Sequence, residues 1–542
     1  MKTVLIVGSG ISGLTCAIEC AQKGISTVLV SPYASERAQS VMASGGINAV
    51  LDTDVYNDSI EDHVLDTLEG GCNIASEQAV RRLCSAAPDI INWLESLGTV
   101  FTRDAQGDIY RRSFGGQRHP RTAYAGTSTG KQIVTALVQE ARKYECLGLL
   151  QRRLNLQFHS ALIDDGICHG ALFYNEFTLK MEAIAADFVV MATGGQNGIF
   201  GKTTGSMLCD GYAAGRLFQQ GAALKNLEFI QYHPTTVETQ HKRMLISEAA
   251  RGEGGRLYYL ANNHRVYFME DHFGPRGNLM PRDVISKYMN DIPSQVYLDI
   301  THLGSDVIEK KLSEVATLCR DYAGIDVTTQ SIPVAPSVHF FMGGLFVDFE
   351  HRTTLDRIYA IGECASMYHG ANRLGGNSLL SAIYSGRVAA ASIAARDPFP
   401  GNSLDAFSDY IAQETIPVEN SLSSKSKFTA MYIKQDLAKL MNNDLGIIRD
   451  AISLKNGIEN VEYYMTVADK LHFGTQVSPY QSYSLKSMLT LARAILTCAN
   501  ARTETRGAHN RDDFPESDEA FQGSTIIDFN EGNYRVRFAK EG

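Results

Sequence analysis

The sequence predicts an α/β protein in which a Rossmann-like domain is interrupted by an α+β capping domain and followed by a helical domain. Three observations lead to this prediction. A strand, a glycine-rich turn and a helix open the chain, and strand-like segments recur at 188–195 and 358–365. A helical periodicity of apolar residues then runs from about 405 to 500.

The opening of the chain has the pattern of a βαβ unit. Residues 3–7 form a short apolar strand and residues 8–13 a glycine turn, whereas residues 14–23 carry apolar residues at helical spacing. VLV at 28–30 begins a second strand. The chain therefore begins as a Rossmann-like domain does.

The predicted domains are not all continuous in sequence. FVVMATGG at 188–195 and IYAIGECA at 358–365 read as further strands of the first sheet, and the region between them has mixed patterns with charged turns. The predicted ranges are 1–224 and 339–404 for the Rossmann-like domain, 225–338 for the capping domain, 405–515 for the helical domain, and 516–542 for a short charged tail with one strand-like patch.

Composition and charge narrow the classes of function. The 542 residues are 44% hydrophobic, and no segment approaches the ~20 consecutive apolar residues of a membrane helix. The net charge of −10 argues against nucleic acid as a partner, because phosphate binding needs a basic surface. The ten cysteines form no CxxC pair, so no zinc, iron–sulfur or c-type haem pattern is present. We expect no metal site, no direct membrane span and a cytoplasmic location, with any membrane association through partner subunits.

The first glycine motif indicates a dinucleotide site. Gly8, Gly10 and Gly13 follow a strand and open a helix, which is the context in which GxGxxG is informative. The glycines permit a tight turn, and the helix N-terminus stabilises a pyrophosphate. Ser31 stands where many such folds carry an acidic residue, so a hydroxyl or a backbone group is expected to bind the adenosine ribose.

Two further glycine pairs strengthen this prediction. They lie in ASGGINA at 43–49 and in ATGG at 192–195. Each alone is compatible with an ordinary loop. Together with the first motif, they provide places where the backbone can approach a flat ring such as a flavin.

These residues and seven longer motifs resemble the succinate dehydrogenase and fumarate reductase flavoprotein family, which includes L-aspartate oxidase. The motifs are FGGQ at 114–117, QYHPT at 231–235, SEAARGEGG at 247–255, MPRDVIS at 280–286, VHFFMGG at 338–344, HGANRLGGNSLL at 369–380 and RTETRGAHNRDDFP at 502–515. The resemblance runs over nearly the whole chain. The family fold is a FAD-binding domain interrupted by a capping domain and followed by helices, which agrees with the pattern above.

The resemblance implies which residues bind FAD and which bind a four-carbon dicarboxylate. The implied FAD contacts are Gly8, Gly10, Gly13, Ser40, Ala43, Gly45, Gly46, Asp210, Glu363, Ser378 and Leu379, with Asp210 and Glu363 expected to hold ribose or ribityl hydroxyls. The implied substrate contacts are Phe114, His233, Ser247, His339 and Arg373. A dianion needs several charge-assisted hydrogen bonds, and the planar guanidinium suits a carboxylate.

The resemblance also implies the catalytic residues. In the family a hydride comes from flavin N5 and a proton from the arginine of the PRD motif, here Arg282. Glu248 and Arg251 are the implied source of that proton. Their spacing of three places both on one face of a helical turn, where they can form a relay.

Two positions separate this chain from other branches of the family. Gln39 lies six residues before Gly45, where respiratory succinate dehydrogenases attach FAD through a histidine. A carboxamide cannot form that link, so we expect non-covalent FAD, which favours fumarate reduction over succinate oxidation. Phe114 lies where L-aspartate oxidase has a glutamate for the substrate ammonium, which disfavours that activity.

The predicted function is therefore FAD-dependent interconversion of fumarate and succinate, with fumarate reduction as the favoured direction. Because the chain has no cluster motif, we expect its partner to be an iron–sulfur electron-transfer subunit, although the tail beyond 515 is shorter than in respiratory relatives. Two alternatives stay open. One is L-aspartate oxidase, and the other is a flavin-binding sensor or assembly protein without turnover.

Overall fold

A parallel five-stranded sheet carries the N-terminal glycine motif. The computed structural model describes residues 2–51, 56–126, 128–240, 242–399, 404–423, 430–468 and 479–540. Across the sheet the strands are Ile358–Ala360, Phe188–Met191, Thr3–Val7, Ser26–Val30 and Leu150–Arg153. All four pairings are parallel. The prediction that the segments at 188 and 358 complete the first sheet is confirmed.

Helices cover this sheet, as the burial of its strands requires. Helix Ile11–Gln22 packs against Thr129–Cys146 and Asn377–Ala395. It begins three residues earlier than predicted, so Gly13 lies inside its first turn. A Cβ at Gly13 would lie 1.9 Å from the Gly8 carbonyl oxygen, so only glycine allows the helix to pass this close to the preceding turn.

A six-stranded antiparallel sheet forms most of the predicted capping domain. Its strands, in spatial order, are Arg243–Leu245, Ile230–Glu238, Ile332–Phe341, Val296–Asp299, Arg256–Ala261 and His264–Val266. The helices of this region are Ala249–Gly252, Phe268–Phe273, Arg282–Asn290, Ser305–Lys311 and Ser313–Ala323. Its residues form a hydrophobic cluster of their own. Strand Ile332–Phe341 continues across residue 338, and the domain limits stay a prediction.

The C-terminal part is helical and ends in a hairpin. Its helices are Ser408–Ser423, Ala430–Asp444, Ala451–Ala468 and Pro479–Ala501. Strands Ser524–Asn530 and Asn533–Ala539 form the hairpin, which joins Leu224–Lys225, Gly344–Phe346 and Ala365–Ser366 in one sheet. The sequence suggested a single strand here, whereas the structure has two, and four of the seven residues of the second strand are exposed.

A fully buried ion pair and its hydrogen bonds connect this hairpin with the segment that precedes the six-stranded sheet. Arg502 Nε donates to Glu228 Oε1 at 2.6 Å, and Arg502 Nη2 donates to Thr525 Oγ1 at 2.8 Å. Thr525 Oγ1 also donates to Glu228. Arg502 thus connects the RTETRG motif with both the hairpin and Glu228.

Further helices and strands complete the fold. They are the helices Ile60–Gly70, Glu77–Ser96, Asn197–Phe200 and Tyr212–Gln219, and the strands Ile47–Asn48, Arg111–Arg112, Thr122–Ala123, Leu156–Asp164, Ile167–Asn175, Lys180–Ala185, Ile448–Arg449 and Asn510–Arg511. Among the described helices, Asn377–Ala395 is the one that is long and apolar enough to cross a membrane. Half of it is buried inside the protein, where it packs on Ile11–Gln22.

Candidate active site

A cavity of about 420 Å³ lies beside the glycine motif and reaches the second sheet. Eight of the predicted FAD residues line it: Gly8, Gly10, Ser40, Ala43, Asp210, Glu363, Ser378 and Leu379. His339 and Arg373, both predicted to bind substrate, line it too. Gly13, Gly45 and Gly46 are not among its lining residues. A Cβ at Gly45 would meet the Phe114 ring at 3.3 Å, and one at Gly46 would lie 2.4 Å from the Ala123 carbonyl oxygen.

The lining of this cavity fits FAD. Gly8 has φ +114°, and a Cβ there would lie 2.2 Å from the Ala192 carbonyl oxygen, so the turn depends on glycine. Helix Ile11–Gln22 begins here, and its N-cap, Gly10, provides no side-chain cap. The first turn is therefore suited to a pyrophosphate. Burial raises the pKa of Glu363 to about 7. A carboxyl group in such surroundings, away from bulk water, is suited to hydrogen bonds with the hydroxyl groups of a ligand.

Asp210 connects the cavity with the C-terminal helices. Its Oδ1 accepts from the Tyr212 N–H at 3.0 Å, and its Oδ2 accepts from the Tyr480 hydroxyl at 2.7 Å. Burial raises the pKa of Asp210, while the Lys434 charge and the bond from Tyr480 oppose that rise. Tyr480 also lines the cavity. No sequence pattern pointed to Tyr480, because an aromatic residue in a helix is ordinarily part of the core.

Arg282, Glu248 and Arg251 meet in a buried cluster. Glu248 Oε2 accepts from Arg282 Nε at 2.9 Å and from Nη2 at 2.6 Å, and Glu248 Oε1 lies 3.3 Å from Arg251 Nη2. The Gly115 N–H donates to Glu248 Oε1 at 2.9 Å. Burial alone raises the pKa of Glu248, but the charges of Arg282 and Arg251 outweigh it and lower that pKa to about 2. Glu248 is therefore ionised between the two guanidiniums.

Both histidines are neutral at physiological pH. Burial lowers the pKa of His233 and of His339 well below its usual value, and the Arg282 charge adds to the effect. Their rings lie 5.1 Å apart. His233 Nδ1 accepts from the Thr235 N–H at 3.3 Å, and a backbone amide can only donate. The proton of His233 is therefore on Nε2, which leaves that nitrogen as a donor.

The charge of the cluster matches a dicarboxylate. Arg282, Arg251 and Arg373 contribute three positive charges and Glu248 one negative charge, so these four buried side chains together carry two positive charges. Burial lowers the pKa of Arg373, and the like charge of the nearby Arg282 lowers it further. A dianion would neutralise the two remaining charges.

The two other predicted substrate contacts have different surroundings. Ser247 is buried, and its Oγ accepts from the Ala249 N–H at 3.3 Å at the start of the turn that carries Glu248. Phe114 is buried and belongs to the hydrophobic cluster of the predicted capping domain. A Cβ at Gly375 would lie 3.0 Å from Phe114 Cδ2, 3.0 Å from Glu248 Oε2 and 3.2 Å from Arg282 Nη2.

The sequence prediction did not assign two residues that contact the predicted site. Gln231 accepts from both Arg282 and Arg373, and the Thr204 hydroxyl lies 2.8 Å from His339 Nδ1. Gln231 opens the QYHPT motif, so the motif itself was a usable signal. Thr204 belongs to no recognised motif and meets His339 only in the folded chain.

One further group of possible metal ligands lies elsewhere in the described part of the chain. Asp58, Asp62 and His119 place ligand atoms within 4.8 Å of one another. Arg121 already donates to both carboxylate oxygens of Asp58, at 2.8 Å and 3.1 Å. Asp58 is thus held in a buried ion pair, whereas Asp62 and His119 are half-buried.

Comparisons with known proteins agree with this geometry. A family model described as FAD binding domain matches residues 3–379, and one described as fumarate reductase flavoprotein C-term matches residues 434–541. The chain belongs to the succinate dehydrogenase and fumarate reductase flavoprotein family. Its cofactor is FAD, and as a member of this family it is an oxidoreductase.

This flavoprotein is similar to relatives named for either direction of the reaction. It is 35% identical to the succinate dehydrogenase flavoprotein subunit of Bacillus subtilis, over 95% of this chain and 92% of the relative. It is 32% identical to one chain of the CoM/CoB fumarate reductase of Methanothermobacter marburgensis, over 97% of this chain and 96% of the relative. A variant of the E. coli quinol fumarate reductase matches its structure with a TM-score of 0.87 at 27% identity, over 100% of this chain and 97% of that one. The predicted family and fold class are confirmed.

Proposed function

We propose that this flavoprotein reduces fumarate to succinate, with Arg282 as the proton donor. The observation that carries the proposal is the buried position of Arg282 between Glu248 and Gln231, next to Arg373. A guanidinium held only for stability has no reason to lie beside a second guanidinium, because the two repel each other in a buried site. A bound dianion gives both of them a partner.

In this proposal the chain's residues bind and orient the substrate. Arg373 binds one carboxylate through charge-assisted hydrogen bonds, and the neutral His233 and His339 donate to the carboxylates without adding charge. Ser247 contributes a hydroxyl, and Phe114 presents an apolar ring to the substrate's carbon chain. FAD bound in the cavity supplies the hydride.

Proton transfer is assigned to the buried relay. Arg282 donates a proton from its guanidinium to the substrate carbon. The Glu248 carboxylate then accepts a proton from Arg251 and passes it to the neutral Arg282, and Arg251 regains its proton from solvent. Arg251, whose Nη1 donates to the Asn278 carbonyl oxygen at 2.7 Å, holds Glu248 from the other side. General acid–base groups of this kind contribute about 10²–10⁴-fold to rates.

FAD is proposed to bind without a covalent link. Gln39 lines the cavity, and its Oε1 accepts from the Ser206 N–H at 2.5 Å. Its amide cannot serve as the nucleophilic imidazole of a histidyl flavin. Acid precipitation of the purified protein should release all of the flavin into the supernatant. Flavin that stays with the pellet would contradict this assignment.

An electron-transfer partner is part of the proposal. The relative from Bacillus subtilis is named as a flavoprotein subunit. The ten cysteines of this chain are all free, and seven are buried in the protein. We propose that the partner is an iron–sulfur subunit, that the location is cytoplasmic, and that membrane association occurs only through such partners.

The decisive experiment follows the reoxidation of chemically reduced flavin with fumarate, oxaloacetate and iminoaspartate in parallel. Fumarate should reoxidise the flavin, and Arg282→Gln should slow this step by about 10²–10⁴-fold while FAD content stays unchanged. Oxidation of L-aspartate with oxygen would favour L-aspartate oxidase instead. Flavin that no dicarboxylate reoxidises would favour a flavin-binding sensor without turnover.

A further inference from the structure

Gln231 uses every hydrogen-bonding position of its side chain within the predicted site. It is fully buried in strand Ile230–Glu238. Its Oε1 accepts from Arg282 Nη1 and from Arg373 Nη2, both at 3.0 Å. Its Nε2 donates to Asn372 Oδ1 and to the Arg373 carbonyl oxygen, both at 2.7 Å. An amide has two lone pairs and two N–H groups, so it is saturated.

The orientation of this amide follows from its partners. Guanidinium groups can only donate, so the Gln231 oxygen must face Arg282 and Arg373. Because both arginine nitrogens lie 3.0 Å from the same oxygen, they are at most 6.0 Å apart. Gln231 thus fixes the separation of two like charges that would otherwise move apart.

The hydrogen bonds continue into a closed ring. Asn372 Nδ2 donates to Asp283 Oδ1 at 2.7 Å. Asp283 directly follows Arg282 at the start of helix Arg282–Asn290. The ring therefore runs from Arg282 through Gln231 and Asn372 to Asp283 and back along the backbone. It joins a strand and a helix of the predicted capping domain to the loop that carries Arg373.

We propose that Gln231, Asn372 and Asp283 are positioning residues that set the distance and angle between Arg282 and Arg373. This inference rests on the proposed function, in which Arg373 fixes one carboxylate and Arg282 must reach one particular carbon. The ring determines which carbon receives the proton. A displacement of about 1 Å costs on the order of 10² in rate, so the ring affects turnover more than binding.

The test compares Gln231→Met and Asp283→Leu with Asp283→Asn. The Asp283 carboxylate accepts from Asn372, and the amide oxygen of Asp283→Asn can still do so. We expect kcat for fumarate to fall about 10- to 100-fold in Gln231→Met and in Asp283→Leu. Asp283→Asn should keep the kcat of the wild type. The Kd of succinate, measured from the flavin absorbance, should change less than 5-fold, about 1 kcal/mol, in all three.

The double variant Gln231→Met with Asp283→Leu provides the readout that a merely structural role would not give. If both residues act through one ring, its kcat should be no lower than that of Gln231→Met alone. The proposal would be overturned if the fall in kcat of the double variant equalled the product of the two single falls. It would also be overturned if Asp283→Leu kept the kcat of the wild type with full FAD content. Should Asp283→Leu fail to fold, Asn372→Leu, which removes the donor to Asp283, replaces it. A wild type that reduces no dicarboxylate would overturn the proposed function, which is a separate outcome.

Discussion

Glu248 is a buried carboxylate between two guanidiniums, so its ionisation links the site to acid stability. Its pKa is about 2 in the folded chain and ~4.3 in an unfolded one. Its ion pairs therefore stabilise the fold fully above ~4.3, and this contribution is lost as the pH falls toward ~2. We expect the difference in free energy of unfolding between wild type and Glu248→Gln to shrink between about pH 5 and about pH 3.

Urea unfolding of the apoprotein at these two pH values measures this effect. Glu61→Gln is the matched control, because Glu61 pairs with Arg81 on the surface, where such pairs contribute little. A difference between wild type and Glu248→Gln that does not change with pH would show that Glu248 is not held ionised by its partners.

His233 is expected to act as a neutral donor rather than as a cation. Because burial and Arg282 lower its pKa, it stays uncharged across the neutral range of pH. His233→Gln retains an N–H donor and should raise KM for fumarate less than His233→Leu does. Plots of KM against pH should have the same shape for the wild type and for His233→Gln, with no inflection near pH ~6.5 that belongs to His233. Steady-state kinetics across this range would reveal such an inflection.

At the level of single residues, the sequence identified the charged members of the site but not their connections. Arg282, Glu248 and Arg251 lie in two motifs that the family resemblance marked, and the structure brings them together. Gln231 lies in a third motif, yet its partners are 51 and 142 residues away in sequence. Such contacts depend on how sheet, helix and loop pack, which no local pattern contains.

The loop 369–376 packs against the relay so closely that one added methyl group should disturb it. A Cβ at Gly375 would lie within 3.2 Å of Arg282 Nη2, Glu248 Oε2 and Phe114 Cδ2. We expect Gly375→Ala to reduce fumarate turnover at least about 10-fold, since small misplacements of catalytic groups are costly. Gly70→Ala, whose Cβ would meet Leu374 at an ordinary 3.8 Å, is the control and should leave turnover unchanged.

Helix Pro479–Ala501 reaches the cofactor cavity at Tyr480, which lines it and donates a hydrogen bond to Asp210. Removing the Tyr480 hydroxyl leaves the buried Asp210 with one fewer donor, and a hydrogen bond to a charged group is worth about 1.5–3 kcal/mol. We expect Tyr480→Phe to weaken FAD binding about 10-fold, as measured by fluorescence titration of the apoprotein. The neighbouring Tyr483 hydroxyl has no hydrogen-bond partner within the described residues, so Tyr483→Phe should bind FAD as the wild type does.

At the level of elements, the sequence predicted those with a strong apolar period. Strand Thr3–Val7 has its predicted bounds, and strand Phe188–Met191 begins where the predicted segment 188–195 begins but ends four residues earlier. Buried parallel strands are continuously apolar, which makes their positions readable. Helix Ile11–Gln22 starts earlier than predicted, since its first turn is made of glycine, serine and isoleucine that also read as a loop. The sequence prediction had one strand-like patch beyond residue 516, whereas the structure has two strands; the alternation of Tyr534, Val536 and Phe538 with polar residues was a usable signal for the second.

The whole molecule should depend on FAD for much of its stability. The cavity is lined by residues from distant parts of the chain, including Gly8, Lys242, Glu363 and Tyr480. FAD at 100 times its Kd adds about 2.7 kcal/mol to the free energy of unfolding. We expect FAD to raise the melting temperature of the apoprotein more than FMN does at equal concentration, since FMN leaves the Gly8 turn without a pyrophosphate. Equal shifts would contradict the assignment of that turn.

The terminal hairpin also determines when the protein can complete its fold. Ile527 pairs with Leu224, which lies 303 residues earlier in the chain and only six residues before strand Ile230–Glu238. A ribosome adds about 5–20 residues per second, so strand Leu224–Lys225 is made on the order of 15–60 s before its partner strand Ser524–Asn530. During that interval an unpaired strand invites association with other nascent chains. The edge at 224–225 therefore stays open to such association until Ser524–Asn530 has been made.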